Sequence, residues 1–171
     1  MKALLVVDML VDFIDPNGAL YIGQAASELV PEVQARMKVF RSAGDPVIYI
    51  CDQHLEDDRE FEMFPPHSVE GTGGDKVIAD LSPQPGDRII YKRRFSAFFG
   101  TDLDLTLREK GINDIELVGC ATNICILYTA AEARMLSYRV SVPAKAVASF
   151  DPEAHHFALQ EMEKTLGVNL T

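Results

Sequence analysis

Apolar residues cluster along this chain in short continuous runs that alternate with longer stretches of helical spacing. Residues 3–7 (Ala3-Leu4-Leu5-Val6-Val7) and 46–51 (Pro46-Val47-Ile48-Tyr49-Ile50-Cys51) are unbroken apolar runs, the mark of strands covered on both faces. Residues 87–91, 114–118 and 139–142 predict three more strands, and 146–149 a short sixth. Between them, Leu29, Val30, Val33, Met37 and Phe40 recur at helical spacing over 27–42, and Gly44 ends that pattern. A second helix is expected over 102–110, with Thr101 as N-cap and Gly111 as terminator. A third opens near Cys125 and runs to about 136. The last starts at Asp151-Pro152-Glu153, an N-cap followed by Pro at the first position. It runs to about 166 with Phe157, Met162 and Leu166 on its buried face. The order β, α, β, long loop, β, α, β, α, β, α predicts an α/β fold. We expect three layers, α/β/α, around a mostly parallel sheet of about six strands, in one domain over residues 1–171.

Composition narrows the function. The chain has 26 acidic against 16 basic residues, a net charge of −10, which argues against nucleic acid or an anionic membrane as partner. No apolar run approaches the roughly 20 residues of a membrane span. The N-terminal run reads as a first strand, not a leader. Three cysteines, an odd number, do not make a disulfide framework, so a reduced, cytoplasmic setting is expected. There is no Gly-x-Gly-x-x-Gly after the first strand and no phosphate-binding Gly-x-x-x-x-Gly-Lys loop, which lowers the case for a dinucleotide or ATP enzyme.

Candidate chemistry sits just past the strands, where open parallel sheets bind ligands. Asp8, Lys92 and Cys125 each follow a different predicted strand, so their side chains can converge. A carboxylate can take the proton of a thiol, and a cation nearby stabilises both anions. Cys125 also lies in the first turn of a predicted helix, where the dipole favours thiolate. Taken singly, each has a plainer reading: Asp8 as a cap, Lys92 with Arg93 and Arg94 as a surface patch, Cys125 as a small buried hydrophobe. The stretch 52–76 is long and irregular. It carries Asp52, His54, Glu60 and His67 with Phe61 and Phe64. Asp52, His54 and His67 offer ligands suited to Zn²⁺, Mn²⁺ or Fe²⁺, and an acidic solvated loop with two incidental histidines is the alternative. Phe95, Phe98 and Phe99 are candidates for a pocket wall. His155 and His156 are expected to pack or face solvent without a partner.

Three segments together, Leu5-Val6-Val7-Asp8-Met9, Tyr91-Lys92-Arg93-Arg94-Phe95-Ser96-Ala97-Phe98 and Gly119-Cys120-Ala121-Thr122-Asn123-Ile124-Cys125, resemble the isochorismatase-like cysteine hydrolases in order and spacing. The resemblance implies that family's fold and an Asp8–Lys92–Cys125 triad. It also implies a nonproline cis peptide at Cys120–Ala121, and an oxyanion site made by the N–H groups of Ala121 and Cys125. Asp52-Gln53-His54 and Phe64-Pro65-Pro66-His67-Ser68-Val69-Glu70-Gly71-Thr72 resemble the nicotinamidase/pyrazinamidase branch. That likeness implies a divalent metal (Zn, Mn or Fe) on Asp52, His54 and His67, with Glu60 as fourth ligand. It adds Phe13 and Phe64 to Phe95 and Phe99 as pocket residues. The expected activity is hydrolysis of a small-molecule amide through a Cys thioester, nicotinamide to nicotinate and ammonia first, in a homo-oligomer. The alternatives are hydrolysis of a carbamoyl or ureido amide, or of isochorismate, and outside enzymes a thiol redox sensor using Cys120 and Cys125.

Overall fold

In the computed structural model, which describes residues 1–171, each apolar run becomes a strand. They are Lys2–Val7 (β1), Val47–Asp52 (β2), Arg88–Lys92 (β3), Asp114–Cys120 (β4), Arg139–Val142 (β5) and Val147–Ala148 (β6). A seventh, Asn169–Leu170 (β7), carries no apolar run. It pairs with β5 through Ser141–Asn169 and Val142–Leu170. The helices are Val11–Ile14 (α1), Ala25–Ala43 (α2), Leu103–Glu109 (α3), Leu127–Met135 (α4) and Pro152–Lys164 (α5). No helix is long and apolar enough to cross a membrane.

All strand pairings are parallel, in the order β3-β2-β1-β4-β5-β7, with β6 beside β4. The chain thus winds outward from β1 in one direction through β2 and β3, and in the other through β4, β5 and β7. The reversal between β1 and β4 opens a crevice at the carboxyl ends of the strands, the usual ligand site of such sheets. Those two strands approach so closely that a Cβ on Gly119 would lie 2.0 Å from the Val7 carbonyl oxygen.

Alternation along β1 sorts the core into two layers. Leu4 and Val6 pack with Leu29, Val33, Met37 and Phe40 of α2. Ala3, Leu5 and Val7 pack with Leu103, Leu107, Ala130, Ala133 and Met162 of α3, α4 and α5. Helices therefore cover both sheet faces, the three-layer arrangement expected. Glu116, a buried charge in the middle of β4, is held by Arg36 at 2.6 and 2.9 Å, which satisfies a carboxylate that would otherwise be costly to bury.

Helix ends differ in detail from expectation. α2 begins at Ala25 rather than near residue 27, and stops where Gly44 takes a left-handed conformation, φ 72°. Thr101 Oγ1 accepts a hydrogen bond from the Leu103 N–H at 3.2 Å, but Asp102 occupies the N-cap. In α5, Asp151 accepts from the N–H groups of Glu153 and Ala154. Phe157 does not face the core: it is 63% exposed, and Ala158 and Met162, one turn apart, form the buried line. The long connection after β2 is tied down by a 3₁₀ turn at Arg59–Glu62 and bridges at His54–Val69 and Leu10–Val77.

Candidate active site

Four buried polar side chains meet at the crevice. Asp8 directly follows β1 and is held with φ 52°, a left-handed conformation that non-glycine residues rarely adopt. Its N–H donates to the Ile50 carbonyl, and its Oδ1 accepts from the Asp52 N–H, both at 2.8 Å. Asp52 and Lys92 end β2 and β3 and are register partners. Cys125 lies in a π turn, Thr122–Ile126, that precedes α4, rather than in the first turn of an α-helix. The turn is closed by Ile126 N–H donating to the Ala121 carbonyl at 3.2 Å. The Cys120–Ala121 peptide is cis, and the Ala121 N–H has no hydrogen-bond partner within the chain.

Lys92 is the hub of this group. Its Nζ lies 2.9 Å from Asp8 Oδ2 and 3.4 Å from Cys125 Sγ, and is ion-paired with Asp52 Oδ1. Burial pushes the Asp8 carboxyl up to about 6; Asp52 adds to this and Lys92 opposes it. Burial pushes the Cys125 thiol well above its ordinary range, against the pull of Lys92. Burial alone would lower Lys92, but Asp52 and Asp8 outweigh it and hold the ammonium charged. Burial thus favours the protonated thiol at Cys125, beside an Asp8 carboxyl that is raised but still opposed by Lys92. Desolvation of Sγ outweighs the local dipole, so the thiol needs a base, and Asp8 is placed to be one.

Beside this group, one ligand atom from each of Asp52, His54, Glu60 and His67 lies within 4.8 Å of the others. His54 Nε2 is 3.7 Å from Asp52 Oδ2 and 3.9 Å from Glu60 Oε1. His67 Nε2 is 3.8 Å from Asp52 Oδ2 and 3.9 Å from Glu60 Oε1. His54 Nε2 and Glu60 Oε2 are buried with no hydrogen-bond partner, an arrangement that is expensive unless something fills it. The Nδ1 atoms are already engaged, with Asp58 Oδ2 at 3.1 Å for His54 and the Pro65 carbonyl at 2.7 Å for His67. That fixes both rings with Nε2 directed into the cluster, as metal-ligating imidazoles require. Two imidazoles and two carboxylates fit a divalent ion such as Zn²⁺, Mn²⁺ or Fe²⁺.

Both groups open into one cavity. Phe13, Phe64 and Phe95 line it, together with Ile124, Tyr21 and Phe150. Phe99 does not: it points outward, 63% exposed, because the turn after Lys92 sends the adjacent aromatics in different directions. Phe98 turns into the core, its ring 5.5 Å from that of Tyr138. The acidic residues of the lining are Asp8, Asp52 and Glu60, with His67 beside them and no Lys or Arg. Tyr21 and Phe150 come from loops without a motif, and nothing in the sequence marks them. Asp12 fixes the first of these loops, accepting from Ala19 N–H at 3.2 Å and from Ser68 N–H, next to His67, at 2.7 Å. His155 has a partner after all: its Nδ1 is 2.8 Å from Thr122 Oγ1 in the nucleophile turn. Cys51, Cys120 and Cys125 are free and buried.

Residues 2–171 match the isochorismatase domain family. Among solved structures, the chain is similar to the nicotinamidase PncA of Bacillus subtilis, at 36% identity and TM-score 0.94, covering 99% of this chain and 98% of that one. It is similar to the N-carbamoylsarcosine amidase of Thermoplasma acidophilum, at 35% identity and TM-score 0.91, covering 99% and 95%. It is also similar to the pyrazinamidase of Pyrococcus horikoshii in complex with zinc, at 30% identity and TM-score 0.93, covering 99% and 98%.

Proposed function

This chain belongs to the isochorismatase family of hydrolases, and on that premise we propose that it is a metal-containing cysteine amidohydrolase whose substrate is nicotinamide. The observation that carries the reading is the contact of Lys92 with Asp8, Asp52 and Cys125, which joins a nucleophile, a base and a metal-type cluster at one cavity. Asp8 takes the proton of Cys125 Sγ as sulfur attacks the carboxamide carbon. The N–H groups of Ala121 and Cys125 receive the oxyanion, the largest electrostatic contribution in many acyl transfers. Collapse breaks the C–N bond, and Asp8 gives its proton to the departing nitrogen, which leaves as ammonia. Water, deprotonated by Asp8, then attacks the thioester. The acid is released, and the proton returns to Sγ. Lys92 keeps Asp8 ionised between steps and offsets the negative charge on sulfur. Asp52, His54, Glu60 and His67 would hold a divalent ion, which supplies an electrophilic anchor for a ring nitrogen or its water.

The charge of the cavity supports an uncharged amide. Its lining has no Lys or Arg, and the carboxylates of Asp52 and Glu60 balance the charge of a divalent ion. A carbamoylated amino acid or ureido acid would bring a carboxylate to a wall with no Lys or Arg to receive it, whereas the phenylalanines suit a neutral aromatic ring. The experiment is ammonia release from nicotinamide, pyrazinamide and N-carbamoylsarcosine, run as purified, after chelation and after return of Zn²⁺, Mn²⁺ or Fe²⁺. Turnover of the aromatic amides that chelation removes and metal restores is expected. Preferential turnover of the carbamoyl acid would overturn the substrate assignment.

A further inference from the structure

Asp58 closes the run Glu56-Asp57-Asp58, a stretch whose charge reads as a solvated face, yet its side chain is 0% exposed. An ionised carboxylate has about four lone-pair sites, and here all four are used. Oδ1 accepts from the Glu60 N–H and from Arg94 Nη1, both at 3.0 Å. Oδ2 accepts from His54 Nδ1–H at 3.1 Å and from Arg93 Nε–H at 2.9 Å. Two of these donors belong to residues of the metal-type cluster. The other two follow directly on Lys92. Arg93 and Arg94 are themselves half-exposed, 50% and 41%, so their outer faces meet solvent while Asp58 is buried beneath them.

We propose that Asp58 is the positioning residue of the metal cluster: with Arg93 and Arg94 at its back, it presets His54 and Glu60 for the ion and ties them to the strand end that carries Lys92. Accepting from Nδ1–H leaves the His54 Nε2 lone pair facing Asp52, Glu60 and His67, so the ring has no second orientation to lose on binding. Accepting from the Glu60 N–H caps the turn at Arg59–Glu62 and sets the backbone from which the Glu60 carboxylate reaches inward. Against its burial, the Glu60 N–H first, then His54, Arg93 and Arg94, favour the ionised carboxylate, so the imidazole faces a strong acceptor rather than a neutral acid. None of this requires Asp58 to touch ion or substrate. The proposal rests on the metal-binding reading given above.

Asparagine at this position has the same shape but offers only the two lone pairs of one carbonyl oxygen, so at least two of the four donors lose their partner. The test is Zn²⁺ affinity of the full-length protein, measured by competition with a chromophoric chelator, and the visible spectrum of the Co²⁺ form. Wild type is compared with Asp58→Asn and with the double variant Arg93→Gln/Arg94→Gln, and thermal melting under chelation reports the metal-free fold. We expect Zn²⁺ binding about 10–100-fold weaker in Asp58→Asn, the range for lost supporting partners of metal ligands, with an altered Co²⁺ spectrum. A smaller loss in the same direction is expected in the double variant. A folded Asp58→Asn with unchanged Zn²⁺ affinity and spectrum, whatever its melting temperature, overturns the proposal. If Asp58→Asn does not fold, unchanged affinity in the double variant does so. A wild-type protein that binds no divalent ion removes the metal reading and this proposal together, whereas a binding wild type with indifferent variants removes this proposal alone.

Discussion

Replacing Asp8 by Asn should destroy turnover and stabilise the fold, and the stabilisation should depend on pH. The Asp8 carboxyl is 1% exposed and is pushed from an ordinary 3.8 to about 6, chiefly by burial and next by Asp52, against Lys92. The folded value lies above the unfolded one, so the fold holds the proton more tightly than the unfolded chain does. Such a group contributes its full stability below pH 3.8 and loses it as pH rises through 6. The difference is about two pH units at ~1.4 kcal/mol each, so ionised Asp8 costs the fold about 3 kcal/mol at pH 8. That is a large share of a typical stability of roughly 5–15 kcal/mol. Asparagine keeps the shape and never ionises. In chelated protein, urea unfolding followed by far-UV circular dichroism should show Asp8→Asn ahead by up to about 3 kcal/mol at pH 8, shrinking to about 1 kcal/mol at pH 4.5. Its turnover should fall roughly 10²–10⁴-fold, the contribution of a general base. A variant that is less stable than wild type by the same amount at both pH values would refute the reasoning, because ionised Asp8 would then be a net structural partner of Lys92.

Four further substitutions probe the site and the sheet that carries it. Lys92→Met leaves Asp8 and Asp52 buried without their cation, and should lower stability by about 3–5 kcal/mol as well as abolish turnover, both read from one preparation by melting and assay. Phe95→Ala should raise KM for nicotinamide while Phe99→Ala leaves it unchanged, since Phe95 lines the cavity and Phe99 does not; steady-state kinetics separate them. Gly119→Ala would drive a Cβ to 2.0 Å from the Val7 carbonyl oxygen at φ 117°. It should cost more than about 3 kcal/mol, beyond the ordinary range for a point substitution, and thermal melting would register it.

The sheet was legible because strands buried on both faces leave unbroken apolar runs, and because Asp8, Asp52 and Lys92 stand at or just past the ends of such runs. β7 left no trace: two residues that pair by register with β5 carry no periodicity. Phe157 is large and apolar yet exposed, because the helical phase puts Ala158 and Met162 inside. Phe95, Phe98 and Phe99 form one aromatic patch in sequence, yet they go to a cavity wall, the core and the surface. That sorting depends on the turn geometry after β3, which composition does not encode. Asp58 is hidden among neighbouring acids, and only the converging donors of His54, Glu60, Arg93 and Arg94 single it out. The burial that raises the Cys125 thiol comes from residues remote in sequence, which local position near a helix start does not encode.

The central claim is that Cys125 becomes acylated during amide hydrolysis. It is tested most directly by mixing metal-loaded enzyme with nicotinamide, quenching in acid within the first turnovers and weighing the intact protein. The account predicts a nicotinoyl adduct that maps to Cys125, decays as ammonia and nicotinate accumulate, and is absent in Cys125→Ala. Sustained turnover with no adduct, together with activity retained in Cys125→Ala, would contradict it.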